Sequence, residues 1–236
     1  MNGSSQSLMK NIASYQNPNL KLSEMSENQD LKKTHRALGN APVTDGEGKS
    51  VLLRRSYEAS VTDAWKACTD KEQLAQWFSE VEGEFHQGGS FQVKDNAAGE
   101  ILQCEAPITL NTTWALGPGM TTELELRLTP EDEHTTIELE HSTPATILDE
   151  MVAAYGPGGT IGVAVGWDLT LQMLGKYLSG EVFDPVAWES TDEAKEYAKC
   201  ASEAWGEVVQ KAWGTSDDDI AAAVAFANSH FAPEEE

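Results

Sequence analysis

Apolar and polar positions along the chain fall into successive regimes. Residues 1–49 are rich in Ser, Asn, Gln and Lys and show no sustained apolar period, the pattern of a segment that cannot offset its ordering entropy by burial. They are read as a disordered N-terminal tail. From Val51 the pattern sharpens. Val51 to Ala59 reads as a strand, and Ser60 with Asp63 forms an N-cap pair opening a short helix through Trp65 to Cys68. Thr69-Asp70-Lys71-Glu72 is a second capping box, and it precedes Leu74, Trp77 and Phe78 on one helical face.

Glycines then punctuate a run of strands: Gly83, Gly88-Gly89 before Ser90 to Val93, and Gly99 before Glu100-Ile101-Leu102. Thr109 to Leu116 alternates, with Leu110, Thr112, Trp114 and Leu116 on one face. Thr121 to Leu128 sets Leu124, Leu126 and Leu128 inward against Glu123, Glu125 and Arg127 outward. After the turn at Pro130 to Glu133, Ile137 and Leu139 point inward, Glu138 and Glu140 outward, and His141 shares the inward parity. Successive strands joined by short turns imply an antiparallel sheet with one buried face.

A Gly- and Pro-containing loop, Tyr155 to Gly159, leads into a long amphipathic helix from about Thr160 to Ser179. Val163, Trp167, Leu171, Leu174 and Leu178 form its apolar stripe, and Asp168, Gln172 and Lys176 lie on the other side, with Gly180 as the stop. Beyond it, Ser190 and Glu193 read as a capping box for a helix with the stripe Ala194, Ala198, Ala201, Trp205, Val208 and Ala212. Ser216, followed by three aspartates, caps another. Helices with such small side chains need a larger surface to pack on, either the main domain or a second subunit.

Composition narrows the function classes. The formal charge is −23, and residues 50–236 hold ten basic against thirty-four acidic side chains. Such a surface repels phosphate backbones and anionic membranes, so no nucleic-acid or membrane partner is expected. No run approaches the roughly 18 apolar residues of a membrane helix and the N-terminus has no signal pattern, so a cytoplasmic location is expected. The widely spaced Cys68, Cys104 and Cys200 fit buried thiols better than a disulfide framework or a metal pair.

The strand RRSYEA running into VTDAWKACTDKEQLAQWF, then GEF, GGSF, GEILQCEAP, LNTTWAL, the pair TELELRLTP and HTTIELEHSTP, and the closing GVAVGWDLTLQML resemble the homologues of the heat-shock-protein-90 ATPase activator. These belong to the START-like, birch-pollen-allergen-like (SRPBCC) superfamily. The resemblance spans roughly Val51 to Ser179. It implies an α+β helix-grip fold, with a curved antiparallel sheet around a long C-terminal helix and an apolar cavity between them. The domain plan is thus a tail over 1–49, a START-like domain over 50–183 and a helical extension over 184–236. Eukaryotic activators of this type carry a separate N-terminal domain where this chain has about 49 low-complexity residues, so the family name is not taken as an activity.

Inward parity nominates a ligand-binding set: Phe91, Trp114, Leu126, His141 and Trp167, with Trp77 and Tyr155 near the cavity ends and Glu100 as a carboxylate that would enter it. An imidazole at His141 could accept a ligand hydrogen bond or move a proton. There is no GxSxG, HExxH or Gly-rich phosphate loop, so no catalytic residue, metal or cofactor is assigned. The primary expectation is binding of a small hydrophobic or aromatic molecule without catalysis. The alternatives are a chaperone-associated interaction protein, with a protein partner or homodimer formed through the C-terminal helices, and a cyclase or dehydratase using the same cavity with His141 as base.

Overall fold

The computed structural model describes residues 30–44 and 46–233. Its strands are β1 (His35–Val43), β2 (Gly46–Tyr57), β3 (Val81–Gly83), β4 (Ser90–Val93), β5 (Ala98–Glu105), β6 (Thr109–Ala115), β7 (Thr121–Glu131) and β8 (His134–Pro144). They form one antiparallel sheet in the order β1-β2-β8-β7-β6-β5-β4-β3. Two short helices, α1 (Val61–Thr69) and α2 (Lys71–Trp77), interrupt the sheet after β2. After β8 come α3 (Ala145–Tyr155), the long α4 (Gly158–Leu178), α5 (Pro185–Glu189), α6 (Asp192–Trp213) and α7 (Asp217–Phe231).

Local chemistry explains where the helices begin. Ser60 Oγ accepts the Asp63 amide at 3.1 Å, and Asp70 Oδ1 accepts the Gln73 amide at 3.0 Å. The expected cap at Thr69 moves by one residue, because the Thr69 hydroxyl instead donates back to the Trp65 carbonyl at 2.7 Å. The same one-residue shift occurs at α6, capped by Thr191 through the Ala194 amide, while α7 begins at Ser216 as its sequence implies. The sheet parity also follows the pattern: Leu124, Leu128, Ile137, Leu139 and His141 are buried, while Leu126 is half-buried. This is the helix-grip arrangement of the α+β class, with α4 lying across the concave face.

The leader is where the structure departs most from expectation. Residues 1–29 lie outside the described residues, but 35–43 form edge strand β1 and 46–49 open β2, with Val43 opposite Gly46 and His35 opposite Arg54. Gly39, Asn40 and Pro42 depress strand propensity, and Pro42 is tolerated because an edge strand has amides that need no partner. β1 is held by the backbone ladder, by Arg36 and by Leu38, which packs against the hydrophobic core. Residues 145–155, which the pattern left unassigned, form α3, whose side chains are nowhere fully buried.

Helix α4 is surrounded. Besides Trp167, Leu171 and Leu174 toward the sheet, its supposed solvent side is covered: Asp168 is 0% exposed and Gln172 is buried. Arg36 Nε and Nη2 donate to the two Asp168 carboxylate oxygens at 2.7 and 2.8 Å. Tyr197 Oη donates to the same group at 3.2 Å and Trp205 Nε1 at 2.7 Å, both from α6. One turn along, Arg55 Nη1 donates to Gln172 Oε1 at 2.7 Å, and Lys176 pairs with Glu193 at 2.9 Å. The polar stripe of α4 is therefore the docking face for β1 and α6. The α6 stripe itself is Ala194, Ala198, Ala201 and Trp205 as expected, but it continues through Val209 rather than Ala212, which is exposed. The extension belongs to the same hydrophobic cluster as the sheet and α4.

Candidate functional site: an apolar cavity under the sheet

Between the concave sheet face, α4 and the short helices lies a cavity of about 90 Å³ that is open at its mouth. Its walls come from inward positions of β4, β6, β7 and β8, from α1 and α2, and from the Trp167, Thr170, Leu171 and Leu174 side of α4. Alternation places the strand residues, and a spacing of three and four places the helical ones. Five of the eight nominated residues meet here: Trp77, Phe91, Trp114, Leu126 and Trp167. The aromatic rings form a continuous wall. Phe85 stacks on Phe91 at 6.1 Å between centroids, Phe91 meets Trp114 at 6.0 Å, and Trp114 meets the edge of Trp167 at 5.2 Å.

Several polar atoms around this wall are already used. Trp77 Nε1 donates to the Ala67 carbonyl at 3.0 Å, and Thr170 Oγ1 donates to the Gly166 carbonyl at 2.9 Å. Cys68 contributes a buried thiol, pushed up to about 12 by desolvation, so it stays protonated and is not a nucleophile near neutral pH. Among the described residues lining the cavity there is no Asp, Glu, Lys, Arg or His.

His141 stands behind the wall rather than in it. It is 5% exposed and lines a smaller pocket on the far side of Trp167, toward Val51, Met151 and Thr160. Trp167 Nε1 can only donate, and it lies 2.6 Å from His141 Nδ1, so Nδ1 is the acceptor and the proton sits on Nε2. His141 Nε2 then donates to Thr122 Oγ1 at 2.7 Å, and that hydroxyl donates onward to the Trp114 carbonyl at 2.8 Å. Burial lowers the imidazole pKa to about 4. A neutral ring with both nitrogens engaged fixes the Trp167 indole; it has no free lone pair with which to take a substrate proton.

Two nominated residues lie elsewhere. Glu100 is exposed, because on β5 the inward position belongs to its neighbour Ile101; its amide donates to Thr113 Oγ1 at 2.8 Å. Tyr155, at the end of α3, is 60% exposed and stacks on Phe226 of α7 at 5.7 Å. Sequence reasoning passed over Leu74, Phe85, Leu110 and Thr112 as cavity residues, although Leu110 and Thr112 share the β6 parity of Trp114 and could have been found by it. Among the described residues no group of His, Cys, Asp or Glu is arranged to hold a metal ion, and no helix is long and apolar enough to cross a membrane.

The model of the family described as Activator of Hsp90 ATPase homolog 1-like protein matches residues 58–179. The crystal structure of CalU16 from Micromonospora echinospora is similar at 35% identity and a TM-score of 0.61, over 75% of this chain and 98% of that one. The solution structure of CalU16 agrees, at 34% identity and a TM-score of 0.62, over 75% of this chain and 96% of that one. A conserved protein of unknown function from Enterococcus faecalis, EF2215, shares the fold at 16% identity and a TM-score of 0.55, over 79% of this chain and 98% of that one. No curated protein matches.

Proposed function

This chain belongs to the Activator of Hsp90 ATPase homolog 1-like family, and from its cavity we propose that it binds a small hydrophobic or aromatic molecule between the sheet and α4 without transforming it. The single observation that carries this reading is the aromatic-walled space itself: about 90 Å³, walled by Trp77, Phe91, Trp114 and Trp167. Natural cores leave few voids larger than a water molecule, so a space of this size under an aromatic wall is a place for a guest.

The cyclase or dehydratase alternative needs a base at the reacting atom. Its candidate, His141, is committed to Trp167 and Thr122, and the buried Cys68 thiol stays protonated. The interaction-protein alternative would use the C-terminal helices, where α6 packs its stripe on α4 while Trp213 and Phe226 stay exposed. The committed His141 favours the binding module over the enzyme.

Uptake of the uncharged dye N-phenyl-1-naphthylamine tests the proposal. Its fluorescence should rise on mixing with the native protein, and Leu126→Trp, which extends a ring into the cavity, should abolish the rise while the protein keeps its cooperative thermal transition. Equal uptake by the filled variant refutes the cavity as the binding place, and no uptake by the parent refutes binding.

A further inference from the structure

The geometry points to Trp167, latched by His141, as a partition across one trough between the sheet and α4, confining the guest to a compact neutral body of about one ring and turning away elongated ones. This inference rests on the cavity reading above and sets the length of its ligand.

Two spaces lie end to end in that trough. The inward stripe of α4 runs Thr160, Val163, Trp167, Thr170, Leu171 and Leu174 at helical spacing. From Trp167 onward these residues line the cavity, whereas Thr160 and Val163 line the smaller pocket of about 30 Å³. The strands divide at the same level. On β8, Ile137 and Leu139 line the cavity, while His141 and Thr143 line the smaller pocket. In register, His141 stands between Val51 of β2, which lines the pocket, and Leu124 of β7, which lines the cavity. The divider is therefore the Trp167 indole together with the His141 ring.

The indole is clamped on both flanks. Trp114 meets it at 5.2 Å between centroids and His141 at 5.7 Å, both edge-on. Its Nε1 donates to His141 Nδ1 at 2.6 Å, and His141 is tied through Thr122 to the Trp114 carbonyl. Swinging the ring aside would leave a buried N–H without an acceptor, a loss that an apolar tail on the guest does not repair. The room in front of the partition is small. At about 90 Å³ the cavity is below the roughly 150 Å³ that encloses a benzene, so a single ring fills it and reaches into the mouth. A longer body gains further burial only from the space behind Trp167. Among the described residues lining the cavity no side chain is charged, which restricts the guest to neutral molecules.

A series of n-alkylbenzenes from toluene to hexylbenzene, titrated into the full chain by calorimetry, measures the length of the room. Each buried CH2 should tighten binding about fourfold, and each one left in water should add nothing. In the parent the gain should stop short of hexylbenzene. In Trp167→Leu it should continue through hexylbenzene, and in Trp167→Leu/Val163→Phe, which refills the pocket beyond, it should stop again where the parent does. His141→Ala opens the same wall from β8 without altering a cavity-lining residue, and it should also move the break to longer chains. An unbroken gain in the parent overturns the partition while leaving the cavity reading intact. So does a break that stays put in whichever of Trp167→Leu and His141→Ala keeps a cooperative thermal transition. A gain that persists in the double variant overturns it too, since the added room would then lie elsewhere. If no member of the series binds the parent, the cavity reading falls and the partition with it.

Discussion

Replacing Asp168 by Asn removes one charge at the centre of a fully buried polar cluster, and its cost can be worked from the geometry. The carboxylate is 0% exposed and receives Arg36 through two bonds, Tyr197 through one and Trp205 through one. Arg36 is itself nearly buried, with its side chain 8% exposed, so it cannot recover its hydration when its partner is neutralised. Breaking a buried pair by altering one member typically costs about 3–5 kcal/mol, because a charge is left uncompensated. The Asn amide adds a mispairing, since its NH2 group must face one of the three donors. We expect a loss of about 4 kcal/mol, a large share of the roughly 5–15 kcal/mol that keeps such a chain folded. Urea unfolding followed by tryptophan fluorescence and far-UV circular dichroism would show the midpoint falling with little change in slope. The double variant Arg36→Met/Asp168→Leu supplies the control: it removes both charges together and should recover most of the loss, since apolar replacement of a whole buried pair is often neutral. A loss below about 1 kcal/mol in Asp168→Asn, or a double variant worse than the single, would refute the view that an orphaned arginine sets the cost.

Two further outcomes follow from the buried titratable groups. His141 has a folded pKa of about 4 against about 6.5 when unfolded, so its contribution is fully present above pH 6.5 and is lost as pH falls toward 4. Between pH 7 and 4.5 this amounts to roughly 2 kcal/mol, and His141→Gln, which keeps an acceptor for Trp167, should show a smaller acid loss in paired urea titrations; identical pH dependence in the two proteins would count against the assignment. Cys68, buried and held protonated, should resist 5,5′-dithiobis(2-nitrobenzoate) in the native state and react only in urea, with prompt native labelling at Cys68 as the contrary result.

How far the sequence speaks depends on how local the deciding interaction is. The inward parity of β6, β7 and β8 is a period of two within a few residues, and it correctly set Trp114, Leu126 and His141 on the concave side. What His141 does there is decided by Trp167, twenty-six positions away, and strand parity says nothing about that partner. The polar stripe Asp168, Gln172, Lys176 was legible as a stripe but not as buried, because its cover comes from Arg36, Arg55 and α6 at long range. The edge strand β1 hid behind Gly39 and Pro42, although Asp45-Gly46 followed by alternating residues is a hairpin signal in its own right. Glu100 was open in direction from sequence alone; the neighbouring Ile101 takes the inward place, since a β-branched apolar side chain gains more from burial there than a carboxylate.

Trp167 and Asp168 are consecutive on α4, and a helix turns by about 100° per residue, so one faces the cavity while the other faces the clamp made by β1 and α6. The helix behaves as a keyed shaft: it cannot rotate to enlarge or shrink the cavity without shearing a bidentate ion pair on its adjoining flank. If the cavity holds a guest, its span would be gauged from outside the cavity, by residues that never touch it, and substitutions in α6 would retune ligand size while every cavity-lining side chain stays the same.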